Sequence, residues 1–431
     1  MTGVQTCALP ISTWRDLHAR FGKLPFATLF EPAIDYARNG FPVGPVTAEA
    51  WEILSRFYRA PNHAPLSGPA SQPFWELFAP GGETPAPGAI FRSEGHAWTL
   101  ERIAKDAWDF YEGEIAERIA AFARESGGLL TEADLAAHTN TWVEPIRTSY
   151  RGHEVWEIPP NGQGIAALTA LNILEGFDLA RHPRESIESY HLQIESMKLA
   201  FADARRFVAD MDHAEVPVAG MLDKAYAAER RALIGPHALT PAPGTPPSGG
   251  TVYLCAADSD GMMISMIQSN YLGFGSGIVI PGTGISLQNR GAGFTLDPNY
   301  PNCIAPGKRP YHTIIPGFLT QGGDAVGPFG LMGGYMQPQG HVQLIVNQVD
   351  YGMNPQAALD APRWQWTDGR NVALELAVPD HIVRGLVARG HGIEVRPHPA
   401  SFGKGQIIRR MANGAYVAGS EPRCDGCAVG Y

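Results

Sequence analysis

Apolar positions recur at helical spacing through the first third of the chain. Glu31-Pro32-Ala33-Ile34-Asp35-Tyr36-Ala37-Arg38-Asn39-Gly40 predicts a short helix with Pro in its first turn and Gly as its stop. Val46 to Tyr58 predicts a second helix, and residues 60 to 95 a surface excursion broken by Pro and Gly, with one helical turn near Phe74 to Phe78. Trp98 to Arg124 reads as a longer helical stretch with Ile103, Ala107, Phe110 and Tyr111 on one face, and Leu130 to Leu135 as a helix capped by Thr131. The period then shortens. Val143 to Ile158 predicts a strand pair turning at Arg151-Gly152; a Gly-rich turn, of a kind that can also hold an anion, leads into a helix from Ile165 to Glu175. Ile187 to Val208 predicts a long helix with Tyr190, Ile194, Met197, Phe201 and Ala204 at core spacing.

A seam follows. Leu239 to Gly250 (LTPAPGTPPSGG) is a Pro/Gly/Ser linker, and a period-two run opens abruptly at Thr251. Ser259-Asp260-Gly261 signals a hairpin turn into a second run, Met262 to Gln268, which places Ser269 at the same end of the hairpin as Thr251. Further strands are expected at Ser286 to Asn289, Tyr311 to Leu319, Ala325 to Leu331 and after His341, and helices at Pro355 to Ala361 and Pro379 to Arg389. Gly273-Phe274-Gly275-Ser276-Gly277 follows a strand but precedes no helix, so it is no dinucleotide fingerprint.

The seam has a chemical reading beside the plainer one, a strand opening. If the Gly250–Thr251 bond is cut, Thr251 carries a hydroxyl and a free α-amine, which titrates near pH 8 and can serve as base for its own hydroxyl. Ser269 could orient that hydroxyl. Gly333-Gly334, at the end of a predicted strand, can present backbone N–H groups to an oxyanion, the alternative being an ordinary turn. His312 and His341 are candidate bases, but no serine or cysteine stands in an elbow motif beside them.

Composition narrows the partners. The 431 residues are 44% hydrophobic and 18% charged, with a net charge of −10, which disfavours nucleic acid and anionic membranes and points to small molecules or peptides. No run approaches the roughly 20 apolar residues of a membrane span. Five cysteines, Cys424 and Cys427 among them as a lone C-x-x-C, suggest neither a disulfide scaffold nor a metal site. The start lacks the pattern of a signal peptide, which favours the cytoplasm; a periplasmic or secreted protein is the alternative if the true start is missing.

The chain resembles the γ-glutamyltranspeptidase family of N-terminal nucleophile hydrolases from Trp14 to Tyr431. The resemblance is carried by Arg20-Phe21-Gly22-Lys23-Leu24-Pro25, Val143-Glu144-Pro145-Ile146, Tyr150-Arg151-Gly152, Leu171-Asn172-Ile173-Leu174-Glu175, Met197-Lys198, Lys308-Arg309-Pro310, Gly333-Gly334 and Val417-Ala418-Gly419-Ser420. It implies an α+β, four-layer αββα sandwich, self-cleavage between Gly250 and Thr251, and a threonyl ester on Thr251. It also implies catalytic support from Ser269, an oxyanion pair at Gly333 and Gly334, and substrate contacts at Tyr271, Arg290, His312 and Thr313. Residues 12–250 would form the large chain and 251–431 the small one, together making one domain, with a homodimer of such pairs open. No metal or organic cofactor is required by that chemistry.

Several positions depart from the family pattern. Val252 and Tyr253 follow Thr251 where better-known members carry Thr and then His or Gln, Tyr271 replaces an Asn, and Arg290-Gly291-Ala292-Gly293 replaces a segment whose Gln and Asp grip an α-amino group. Residues 1–11 match nothing in the family and are read as an artefactual start on an N-terminally incomplete chain. Three functions remain open: action on γ-glutamyl compounds such as glutathione, an acylase for glutaryl or other carboxylate-bearing amides, and an inactive, uncleaved fragment or binding protein.

Overall fold

The strand pair expected from Val143 to Ile158 forms as Ile146–Tyr150 and His153–Glu157, reversing at Arg151 and Gly152, both with positive φ (51° and 78°). It is one edge of a six-stranded antiparallel sheet. From that edge the order continues through Gly317–Gln321, Asp324–Met332, Lys404–Arg410 and Tyr416–Ser420. Two strands that precede Thr251 and four that follow it thus share one hydrogen-bonded sheet. The computed structural model describes residues 3–5, 10–60, 68–241 and 250–431. Residues 242–249 of the linker, 61–67 of the surface excursion, and 1–2 and 6–9 at the start lie outside the described residues.

The described residues separate into two units, the first containing Val143–Ser269 and Arg290–Tyr431, the second Val4–Trp142 with Asn270–Asn289. In the first unit the sheet is covered on both faces. Leu331 points to the helix Met336–Val349, where a side chain at Gly340 would meet it, while its neighbour Gly330 points the other way, to Tyr253 of the hairpin. That hairpin, Gly250–Ala257 with Met263–Tyr271, packs on Asp324–Met332 and Lys404–Arg410. Helices Gly164–Leu174 and Ile187–Phe207 pack together behind the sheet. A smaller sheet of Trp364–Asp368, Asn371–Glu375 and Gly392–Arg396 completes the unit, its last pair parallel and linked by the helix Asp380–Ala388.

The segment after His341 is helix, not strand. Every residue from Met336 to Gln348 is buried, so the helix has no polar face and its Val342-Gln343-Leu344-Ile345-Val346 run reads like a buried strand. Tyr311 to Ile315 is extended but joins no ladder beyond a single bridge from His312 to Gly162, and Ser286 makes only a bridge to Val279. In the second unit, helices Glu31–Asn39 and Pro45–Arg59 form as expected. The stretch from Trp98 to Arg124 breaks into Glu94–Lys105, Asp109–Glu112 and Glu114–Glu125. Gly113 sits at the last break because a Cβ there would lie 2.3 Å from Asp109 Oδ1, which accepts the Glu114 N–H.

One buried polar relay fastens the chain at the head of the linker. Lys198 donates to Glu195 (2.7 Å), to the Leu239 carbonyl (3.1 Å) and toward His391 Nδ1 (3.5 Å). An ammonium can only donate, so His391 carries its proton on Nε2, which donates to His191 Nδ1 (2.9 Å); His191 Nε2–H then donates to the Gly235 carbonyl (2.8 Å). Glu195 closes the relay by accepting the Leu239 N–H (2.8 Å).

Both imidazoles are held neutral. Burial, with Lys198, His191 and Arg389 adding to it, pushes His391 down to about 3. The folded state therefore binds fewer protons than the unfolded chain below the ordinary histidine value, so this contribution is present above about pH 6.5 and is lost as pH falls toward 3. Unfolding in urea should show about 2 kcal/mol less stability at pH 5 than at pH 7 from this group. His391→Gln should remove that increment; an unchanged pH slope in the variant would assign it elsewhere.

Candidate functional site

Thr251 opens its strand, and the turn that returns the chain brings Ser269 beside it. Asp258 builds that turn: its N–H donates to the Met262 carbonyl (3.0 Å) and its carboxylate accepts the Met262 N–H (2.8 Å), with Gly261 at φ 88°. The Thr251 hydroxyl donates to Ser269 Oγ at 2.8 Å, across 18 residues of sequence. Alternation then puts Tyr253 on the same side of the strand as Thr251. Tyr253 is buried, hydrogen-bonded to Ser265 Oγ (2.9 Å) and laid over Gly330, where a Cβ would come within 2.6 Å of the ring. Burial raises the Tyr253 phenol well above its ordinary value and pushes the Cys255 thiol up to about 11. Neither ionises at neutral pH beside the threonine strand.

Three residues beyond Gly330 the strand ends in a turn at Gly333 (φ 141°) and Gly334 (φ 58°). The Gly333 carbonyl accepts the Met336 N–H (3.0 Å) and that of Gly334 the Gln337 N–H (3.1 Å), so both peptide planes are fixed by the first turn of the helix. In a planar trans peptide the N–H opposes the C=O, so the Gly334 N–H points away from the helix and its positive end adds to that direction. A side chain at Gly333 would lie 3.1 Å from Gly403 Cα and 3.2 Å from Met336 Cβ, besides requiring a left-handed backbone.

Beside this turn runs the extended segment of His312 and Thr313, both buried. The His312 N–H donates to the Asn161 carbonyl and its own carbonyl accepts from Gln163 N–H, each at 2.9 Å; its Nδ1 accepts the Ile314 N–H (3.2 Å). Arg290 is buried and donates from Nη1 to Thr313 Oγ1 at 2.6 Å. Gln163, not singled out by sequence reasoning, donates its carboxamide to the Thr313 carbonyl (2.7 Å) and to the Gly334 carbonyl (2.8 Å). No periodicity or motif marks such a residue; it emerges only when two carbonyls distant in sequence meet. The structure thus joins Arg290, Thr313, Gln163 and Gly334 in one bonded group and Thr251 with Ser269 in another. Tyr271 lies in the second unit, buried, at φ 78°.

Other candidates resolve differently. In the Gly-rich turn at Pro159 to Gly164, the Gly162 N–H goes to the Pro159 carbonyl and that of Gln163 to the His312 carbonyl, which leaves neither of these for an anion. His341 is sealed in the core against Glu157 (2.6 Å), whose carboxyl is raised by burial, and so does not serve as a surface base. His191, Glu195 and His391 offer ligand atoms within 4.8 Å of one another, but the Lys198 ammonium already fills the cation position at that carboxylate.

The fold is the α+β, αββα sandwich of the N-terminal nucleophile hydrolases. The chain belongs to the γ-glutamyltranspeptidase family: the family described as Gamma-glutamyltranspeptidase matches residues 1–431. It is 36% identical to the Glutathione hydrolase-like YwrD proenzyme of Bacillus subtilis (strain 168), over 97% of this chain and 79% of that protein. It is 34% identical to the Acylase ACY 1 proenzyme of Pseudomonas sp. (strain SE83), over 100% of this chain and 76% of the relative. The crystal structure of cephalosporin acylase from Bacillus halodurans superposes with a TM-score of 0.91 at 50% identity, covering 97% of this chain and 76% of that one. The protein is therefore an enzyme of the hydrolase and acyltransferase type, related to self-processing proenzymes. No helix among the described residues is long and apolar enough to cross a membrane.

The Tyr253 contact yields a test. Gly330→Ala forces a methyl into the ring, which should cost about 1–3 kcal/mol and lift the threonine strand from the sheet. The expected outcome is a turnover loss larger than the fraction unfolded, measured by thermal melting beside steady-state rates; wild-type kcat in a folded variant would deny Tyr253 this registering role.

Proposed function

We propose that the protein is a self-cleaving amidohydrolase and acyltransferase in which Thr251, freed at its α-amine by cleavage after Gly250, is the nucleophile. The observation that carries this reading is the Thr251–Ser269 hydroxyl pair at the head of the strand that Tyr253 seats on Gly330. Self-cleavage would begin with attack of the Thr251 hydroxyl on the Gly250 carbonyl, moving the acyl group from nitrogen to oxygen, and water would then release the ester. In turnover the α-amine takes the hydroxyl proton as oxygen attacks the substrate amide. The Gly333 and Gly334 N–H groups receive the oxyanion, and the departing amine recovers the proton. The threonyl ester is discharged by water or by an acceptor amine, with Ser269 orienting the hydroxyl throughout.

Residues 12–250 and 251–431 are the two chains under this reading, held together by the strands they share. The acyl groups proposed are of the γ-glutamyl type, as in glutathione. A second reading, a glutaryl-type acylase, is favoured by the buried Arg290 on Thr313, a cation suited to a substrate carboxylate, and by Gly293 in place of the family's ammonium-binding carboxylate. The two acyl groups differ only in the α-amine, which makes the comparison clean.

Intact mass of purified protein should give two chains, the smaller beginning at Thr251. Thr251→Ala should remain one chain and lose turnover by about 10⁴-fold or more, as for other nucleophile deletions. Ser269→Ala should keep the nucleophile and lose about 10–10²-fold in kcat. A Thr251→Ala protein that is still cleaved, or still hydrolyses amides, would refute the reading. Matched γ-glutamyl and glutaryl anilides then decide the acyl group: a higher kcat/KM for the glutaryl compound selects the acylase.

A further inference from the structure

Gln163 stands at a position where two parts of the site meet. Its side chain is fully buried, and its amide nitrogen donates to the Thr313 carbonyl at 2.7 Å and to the Gly334 carbonyl at 2.8 Å. Both partners are acceptors only, so the nitrogen must face them and both of its hydrogens are used. The backbone gives the side chain little freedom: its N–H donates to His312 (2.9 Å) and its carbonyl accepts from Ala166 (3.0 Å), at the head of the helix Gly164–Leu174. Asn161 adds a further tie, accepting the His312 N–H and donating its own amide to the Pro310 carbonyl (2.7 Å).

We propose that Gln163 is a positioning residue that locks the Gly333-Gly334 turn and the His312-Thr313 segment into one body, setting the oxyanion donors relative to the substrate wall. The Gly334 carbonyl receives two donors, Gln163 Nε2 and the Gln337 N–H, which fix the Gly334–Tyr335 peptide and so hold the far side of Gly334, next to the Gly333–Gly334 peptide whose N–H is one of the proposed donors. Two consecutive glycines with positive φ have no side chains to hold them, so the turn depends on such outside bonds. Preorganised donors stabilise a developing charge because they need not reorganise as it forms. Thr313 is held from both sides, its hydroxyl by Arg290 and its carbonyl by Gln163, so loosening Gln163 frees both parts of the site together.

This inference rests on the proposed roles of Thr251 and the glycine turn, and the experiment separates the two. Full-length wild type, Thr251→Ala, Gln163→Met and Gln163→Glu are compared, with kcat counted per self-cleaved, folded chain. Gln163→Met is expected to lose about 10–10²-fold in kcat, a fraction of the loss seen when an oxyanion donor itself is removed, with KM changed less than about threefold. Gln163→Glu supplies the readout a purely structural residue would not move. As a carboxylate it opposes two carbonyl oxygens; once protonated it again donates a hydrogen bond. Its kcat relative to wild type should rise at least about fivefold from pH 8 to pH 5.5, whereas the Gln163→Met ratio stays flat.

Wild-type kcat within twofold in both variants, or a Gln163→Glu ratio independent of pH, overturns the proposal. Failure of both variants to fold also overturns it, since Gln163 would then be structural only. If wild type neither self-cleaves nor turns over amides, the Thr251 reading falls instead. An active wild type, an inactive Thr251→Ala and unaffected Gln163 variants would sink this inference alone.

Discussion

The close approach of the hairpin to the six-stranded sheet is the constraint from which the rest of the site follows. That approach exists because the strand Asp324–Met332 lacks side chains where others would stand. Gly330 admits the Tyr253 ring, and Gly327, whose Cβ would lie 2.0 Å from the Ile408 carbonyl, lets the neighbouring strand close in. The same strand leads into Gly333, so one backbone carries both the seat of the threonine strand and, under the proposed reading, the oxyanion turn. A side chain at residue 330 would raise the hairpin while the helix Met336–Val349 kept the turn in place. A misplacement of reacting groups by about 1 Å can cost about 10²-fold in rate, so under the proposed reading the absence of a side chain at Gly330 bears on turnover.

Buried charge supports the turn from behind. Arg363, Glu375, Glu421 and Arg423, two of each sign and all nearly out of water, pair at 2.5–2.7 Å. Such networks add little net stability over a packed apolar core, because desolvation offsets attraction. Their directional bonds have a clearer consequence. Arg363 Nη1 donates to the carbonyls of Phe402 (3.0 Å) and Gly403 (2.9 Å), and Gly403 is the backbone against which Gly333 packs. Glu421 also accepts the Gly405 N–H (2.9 Å). Residues near the end of the chain thereby brace the turn that the middle of the chain presents.

What could be read from sequence divides along physical lines. Local signals were legible: Pro in a first turn, Gly40 as a stop, the Thr131 cap, and the Ser259-Asp260-Gly261 turn that aligned Thr251 with Ser269. The contact of Thr251 with Ser269 and the turn at Gly333-Gly334 were legible because a hairpin signal and tandem glycines mark them locally. The helix after His341 was not, because burial on every side erases the polar face that marks a helix. The strands Trp364–Asp368, Asn371–Glu375, Gly392–Arg396 and Lys404–Arg410 also escaped; in the first two, Trp364–Trp366 and Val372–Glu375 are buried residue after residue, which removes the alternation that marks a half-buried strand. Gln163 was invisible for another reason: a carboxamide bridging two carbonyls about 150 and 171 residues away leaves no local trace.

At the proposed substrate end of the site, the backbone of this chain constrains which side chains can stand there. Under the proposed reading, the carboxylate that would pair with a γ-glutamyl ammonium is replaced by Gly293. A Cβ at that position would lie 2.8 Å from the Tyr311 carbonyl, so an aspartate there must push on the segment that carries His312 and Thr313. Backbone oxygen cannot yield as a flexible side chain would. Gly291, two residues earlier, has open space around its Cβ position, so this short helix tolerates a side chain there and excludes one at Gly293. The lost counter-ion is therefore tied to how Arg290–Gly293 is folded. Under the second, glutaryl reading, ammonium recognition would require moving that turn, whereas the Arg290–Thr313 bond would suit an acyl group recognised through a carboxylate alone.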